Sequence, residues 1–147
     1  MGLFDAIHIA GTGLTAQRIR MTVTSENLAN ADTTKAANGL PYQRQEVVLS
    51  QVGNGFTSAL SGAMARTSSA AQGGVAVSGV VTDNTPDQQV YDPGNPEADS
   101  KGYVKMPNVS TVTEMTDLIS EQQSYQSDVT AMQTAKSMFT STLGLLR

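Results

Sequence analysis

The sequence predicts an α+β chain: long N- and C-terminal helices packed as a coiled-coil-like pair, an inner helical layer, with a small irregular β-rich central domain. Three observations predict it. Apolar residues recur on a 4-3 spacing at both ends of the chain, and the middle is cut into short β-branched runs by Gly, Asn and Pro. Aromatic residues make up only 5% of the chain, with no Trp, so the core should be thin or completed by another chain. The expected boundaries are 1–30 for an N-terminal helix, 31–108 for the central domain with a flexible loop at 53–74, and 109–147 for a C-terminal helix.

In the first helix Leu3, Ile7, Ala10, Leu14, Met21 and Leu28 keep the 4-3 rhythm, with Gln17 and Thr24 at its two polar steps. Gly11 and Gly13 each weaken a helix by roughly 1 kcal/mol relative to Ala, so this one needs packing to persist. Ala6, Ala10 and Gly13 form a second stripe, small enough to let a neighbouring backbone approach.

The last helix carries the same rhythm more strongly through Met115, Leu118, Tyr125, Val129, Met132, Phe139, Leu143 and Leu146, interrupted by Gln122 and Lys136. Thr111 and Glu114 have the T-x-x-E spacing of a capping box. Glu114, Asp117 and Glu121 lie early and Lys136 and Arg147 late, the order a helix dipole favours. Ile119, Met138 and Leu145 add apolar surface off the main stripe.

Between the helices, "YQRQEVVLSQV" and "GVAVSGVV" read as strands, and two shorter extended pieces are expected at Gln88–Tyr91 and Tyr103–Met106 around a turn rich in Pro and Gly.

A net charge of -4 gives no basic face for a phosphate backbone, so nucleic acid is not an expected partner. No apolar run approaches the roughly 18 residues that span a bilayer, and Met1–Ala10 lacks the pattern of a secretory signal. The absence of Cys removes disulfides and thiolate ligands.

One enzymatic reading arises. Gly11, Gly13 and Ala16 match a dinucleotide-binding G-x-G-x-x-A, with Glu26 or Asp32 placed for a ribose, but no apolar parallel strand follows. His8 is the only histidine, which leaves no triad and no multi-histidine metal site. Asp83, Asp87, Asp92, Glu97 and Asp99 do not match a calcium loop, and Asn108-Val109-Ser110 is a formal glycosylation sequon. No catalytic, cofactor or metal residue is therefore expected. Apolar stripes at both ends of a subunit suit head-to-tail, non-closing assembly, ahead of a nucleotide-binding protein or a soluble coiled-coil adaptor. Terminal helices so thinly apolar are expected to be largely disordered in a free monomer.

The stretch "SENLANADTTKAANGLPYQR" closely resembles the N-terminal signature of bacterial flagellar rod and hook axial proteins, carried by Ser25, Asn27, Leu28, Ala29, Asn30, Ala31, Thr33, Gly39, Pro41 and Tyr42. A second stretch, "VYDPGNPEADSKGYVKMPNV", is similar to a passage of the proximal rod members, and "YQSDVTAMQTAKSMFTSTLGL" to their closing helix. The resemblance implies a structural subunit whose terminal helices polymerise into the tubular drive shaft of the basal body, transmitting torque and enclosing the export channel. It implies neighbouring proximal and distal rod subunits, the MS ring and export gate at the base, and the flagellar export apparatus as partners. It also implies a periplasm-spanning location reached by type III export without a cleaved signal. Interface residues are then expected at Leu3, Ile7, Leu14, Met21 and Leu28, and at Met115, Leu118, Tyr125, Val129, Met132, Phe139 and Leu143. Asn27 and Asn30 are expected to end the first helix, using the left-handed conformation that Asn tolerates.

Overall fold

The computed structural model describes residues 3–36, 39–52 and 73–145. Helix α1 spans Leu3–Ala29; strands β1 (Gln45–Gln51), β2 (Val75–Thr82), β3 (Gln88–Tyr91) and β4 (Tyr103–Met106) follow, and helix α2 spans Thr111–Leu145. The fold is α+β, with two long terminal helices and small sheets between them in sequence. The expected loop at 53–74 lies almost wholly outside the described residues, as does Arg147.

The strands form two separate two-stranded sheets, β1 with β2 and β3 with β4. The Val52 N–H donates to the Gly74 carbonyl at 3.0 Å, and the Asp83 N–H to the Arg44 carbonyl at 2.8 Å, so β1 and β2 run in opposite directions. In the second sheet Gln88 lies opposite Met106 and Tyr91 opposite Tyr103, whose rings meet edge to face with centroids 5.3 Å apart. The acidic residues around it serve its turns: Asp99 Oδ1 accepts the N–H groups of Lys101 and Tyr103, and Asp92 Oδ1 that of Gly94. Among the described residues no group of acidic or histidine side chains has the geometry of a metal site.

The chain forms two compact units. One comprises the chain up to Arg18, Leu49–Ser78 and the chain from Gln123 on. There Thr12 Oγ1 accepts the Val75 N–H at 3.1 Å, and the small residues Ala16 and Ala135 are the buried ones. Gly11 and Gly13 lie inside α1 with no strand before them, which overturns the dinucleotide fingerprint: a cofactor turn needs a strand feeding a helix N-terminus. Gly13 instead serves close packing, because a Cβ there would stand 2.9 Å from Asp128 Oδ2.

The other unit comprises Ile19–Val48 and Gly79–Gln122. Its buried residues are Val23, Thr24, Asn27, Ala31, Pro41, Val104, Pro107, Val109, Glu114 and Glu121. Among the described side chains no Leu, Ile, Met, Phe or Tyr is buried. The core is thus small and partly polar.

The capping of α2 differs from expectation by one residue. Ser110 caps the helix: its carbonyl accepts the Glu114 N–H at 2.9 Å and its Oγ faces the Thr113 N–H at 3.4 Å. Glu114 takes no part in a capping box, because its carboxylate is turned inward to other partners. At the end of α1, Asn30 acts as a cap through its side chain, Nδ2 donating to the Glu26 carbonyl at 2.8 Å. Asn27 lies inside α1 and so does not use the left-handed conformation expected of it, while the glycines with positive φ are Gly39, Gly74 and Gly102. Gly39, at φ 77°, closes a turn within the signature by donating its N–H to the Ala36 carbonyl at 2.8 Å.

Candidate functional site

Two features of the second unit stand out, a buried polar cluster and an exposed apolar stripe. The cluster centres on Asn27, whose residue exposure is 1%. Its Nδ2 donates to the Gln45 carbonyl at 2.8 Å and to Glu114 Oε2 at 3.1 Å. Its Oδ1 accepts the Gln45 N–H and the Tyr42 hydroxyl, both at 2.9 Å. Two donors and two acceptors saturate the carboxamide, and the fixed polarity of the Gln45 backbone groups sets which way it points.

Glu114, also 1% exposed, receives on its other oxygen the Arg44 Nε–H at 2.6 Å. This charge-assisted bond is the main reason the Arg44 guanidinium is held above its usual range. Arg44 Nη2 stands 3.8 Å from Asp117 Oδ2. Burial, reinforced by the negative charges of Glu26 and Glu114, pushes the Tyr42 phenol up, so it stays a donor to Asn27. The Arg44 N–H donates to Asn108 Oδ1 at 2.8 Å, and Asn108 Nδ2 donates to the carbonyls of Asp83 and Thr85. Both ends of the Asn108 amide are therefore engaged inside the fold, against its reading as a glycosylation acceptor.

One heptad along α2, Glu121 Oε1 accepts the Thr24 hydroxyl at 3.3 Å and stands 3.3 Å from Arg20 Nε. The packed face of α2 in this unit therefore runs through Glu114, Leu118 and Glu121, a half-buried apolar position between two buried acids. In the other unit Asp128 approaches Gly13, Met132 approaches Gly11, and Ala135 is buried.

The expected α2 stripe shares one column with this face, Leu118, Tyr125, Met132 and Phe139, all half-buried. Its other column lies one residue past the acids: Met115 and Leu143 are exposed and Val129 half-buried. On α1, Ile7, Leu14, Met21 and Leu28 are half-buried, while Ala16, Val23, Thr24 and Asn27 take the buried places. The side chain of Leu3 is outside the description. Val112, Met115 and Ile119 form an outward stripe on the first turns of α2, Met115 being 53% and Ile119 66% exposed. Of the signature residues, Pro41 is buried, Ala29 and Gly39 are exposed, and Gly39, Leu40 and Pro41 border an open groove of about 450 Å³ with Lys35, Tyr103 and Lys105.

The buried acids were missed by periodicity alone. Their signal is the seven-residue spacing of Glu114 and Glu121, continued by the half-buried Asp128, beside an apolar column.

Comparison with known proteins places this arrangement. The family described as flagella basal body rod protein matches residues 7–36, and the flagellar basal body rod FlgEFG protein C-terminal family matches 100–145. The flagellar basal-body rod protein FlgC of Escherichia coli is 45% identical over 145 residues, covering 99% of this chain and 98% of that protein. This chain belongs to the FlgC family. The FlgC of Bacillus subtilis is 44% identical over 142 residues, 94% of each chain, and that of Borreliella burgdorferi 40% identical over 158 residues, 100% of this chain and 99% of its own. The family match over residues 7–36 contains most of α1 and Asn27; the match over 100–145 contains β4 and α2, with Asn108 and Glu114. The polar cluster thus joins residues of both matched segments.

Proposed function

We propose that this FlgC-family chain works by polymerising through its terminal helices. It is a structural subunit of the bacterial flagellar basal-body rod, not an enzyme, and assembles with other rod components. Within the rod it occupies the proximal part, where residues 1–30 and 109–147 form the tubular inner wall around an export channel and residues 31–108 lie outside it. There it transmits torque across the periplasm, meets neighbouring proximal and distal rod subunits, and faces the MS ring and export gate at the base. It reaches this place through the flagellar type III apparatus without a cleaved signal. The expected interface residues, from Leu3 to Leu28 on α1 and from Met115 to Leu143 on α2, are the contacts proposed to build the wall.

One observation carries the reading: among the described side chains no Leu, Ile, Met, Phe or Tyr is buried within the subunit, and several apolar side chains lie open along α2. Surface of that kind gains about 25 cal/mol for each Å² that a neighbour covers. The test is incorporation of Val129→Asp and Leu143→Asp chains into purified basal bodies. Both are expected to be excluded, because a subunit contact would bury an unpaired charge. Normal motility of both variants would overturn the proposal.

A further inference from the structure

We infer that Asn27 is a positioning residue of the subunit rather than a contact between subunits: its carboxamide replaces a missing peptide group at the junction of α1 and β1. A backbone residue offers a strand neighbour one N–H and one carbonyl. Asn27 offers Gln45 the same pair from a side chain, accepting its N–H at 2.9 Å and donating to its carbonyl at 2.8 Å. The first residue of β1 is thereby paired to the last turn of α1 as it would be to another strand. The second amide proton goes to Glu114 Oε2, whose other oxygen is held by Arg44, the residue before Gln45. One carboxamide therefore sets the departure of β1 from α1 and ties both to the start of α2.

At 1% exposure Asn27 is closed to any neighbouring subunit. Its place in the family signature is accounted for inside the fold. The inference concerns one subunit, and it stands whether or not the terminal helices build the rod wall.

The chemistry singles out one substitution. In Asn27→Asp the acceptor toward Gln45 and Tyr42 survives, but both donors are lost. A carboxylate oxygen then faces the Gln45 carbonyl and Glu114 Oε2, where the amide proton lay between Asn27 and Glu114 at 3.1 Å. Adding one proton to the two carboxyl groups restores a donor between them. The other charged groups at this spot are Arg44, which already bonds Glu114, Asp117 and Glu46, which act on Arg44, Glu26 near Tyr42, and Glu121, whose carboxyl feels the Glu114 charge. In the double variant Asn27→Asp with Glu114→Gln, the new amide donates to residue 27 and its oxygen accepts from Arg44, so the bond returns with reversed polarity.

The experiment is urea unfolding of the full chain at pH 7 and pH 5, together with exchange of the Gln45 amide. Asn27→Asp is expected to lower the folding equilibrium constant roughly ten- to a hundredfold at pH 7 and to recover much of it at pH 5. The double variant is expected to regain several-fold at pH 7, with the Gln45 amide protected again. Should Asn27→Asp not fold at pH 7, folding of the double variant there still supports the inference. A loss that is the same at both pH values, or a double variant no more stable than Asn27→Asp, would overturn it, since a merely space-filling asparagine produces neither the pH profile nor the rescue.

Discussion

Glu121 Oε1 stands 3.3 Å from Arg20 Nε, while its second oxygen, Oε2, is buried without a hydrogen-bond partner. Half of this carboxylate is paired and half is orphaned. Burial holds the Glu121 carboxyl above its ordinary value of 4.5; Arg20 and the Thr24 hydroxyl pull it down, and Asp117 and Glu114 push it further up. A raised folded value means that the acid form is the one the fold prefers. The stability Glu121 contributes is full below the unfolded value and is lost as pH rises through the higher folded value.

Glu121→Gln removes that titration. The variant is expected to match or exceed the parent chain at pH 7 and to lose the advantage near pH 4, measured as urea midpoints across that range. Asp83 and Asp99, whose carboxyls are held low by hydrogen bonds from Thr85 and from Tyr103 and Lys101 respectively, work in the opposite direction and are common to both chains. The difference between the two curves therefore isolates Glu121. A variant less stable than the parent at pH 7 would mean that the Arg20 pair outweighs burial.

Gly11 and Gly13 make contrasting predictions. A Cβ at Gly11 would meet Met132 Cε at an ordinary 3.6 Å, whereas at Gly13 it would press on the Asp128 carboxylate at 2.9 Å. Either substitution to Ala favours helix by about 1 kcal/mol, so both should raise the helicity of the free chain in circular dichroism. Only Gly13→Ala should impair incorporation into basal bodies, because only there must a packed side chain move. Equal incorporation of the two would show that the close approach is not used.

Within α1 and α2 many Ser and Thr hydroxyls donate back to carbonyls three or four residues earlier, from Thr15 to Gly11 and from Thr130 to Gln126 and Thr134 to Thr130. Such helices gain little from propensity and depend on packing. In the unit containing Ile19–Val48 and Gly79–Gln122 that packing includes the Asn27 cluster; in the other unit the only buried side chains among the described residues are Ala16 and Ala135. Hydrogen exchange on the dilute chain is expected to show protection at 19–30 and 111–122 and rapid exchange at 3–18 and 123–145. This narrows the expectation that both helices are largely disordered before assembly. Uniform protection along both helices would contradict it.

The positions of the strands were legible because β-branched runs between turn residues have few alternatives: Gln88–Tyr91 and Tyr103–Met106 coincide with β3 and β4. The end of α1 followed from Asn30, whereas α2 is capped by Ser110 and not by the Thr111 that the T-x-x-E spacing indicated. The packed face of α2 was not legible. Periodicity locates apolar residues and assumes that they are the buried ones, but here Glu114 and Glu121 are buried and Met115 is not. Asn27 was read as a helix terminator because its usual role is local; its partners lie 15, 18 and 87 residues away, beyond any spacing rule. Its neighbour in the motif, Asn30, is the one that caps.

Ile119 separates folding from assembly. It sits on the same α2 turns as Leu118 and Glu121, yet is 66% exposed, and Val112 and Met115 continue its stripe at spacings of three and four. A charge at this position meets water in the free subunit and costs little; between subunits it would be buried without a partner. Ile119→Asp is therefore expected to leave the urea midpoint of the free chain within about 0.5 kcal/mol of the parent. The same change should abolish incorporation into basal bodies and motility. Leu118→Asp, on the half-buried column, should fail in both assays, so the pair of variants distinguishes a surface kept for neighbours from one used within the chain. Unchanged motility of Ile119→Asp would remove the Val112–Met115–Ile119 stripe from the rod contacts while leaving the Leu118 column in place.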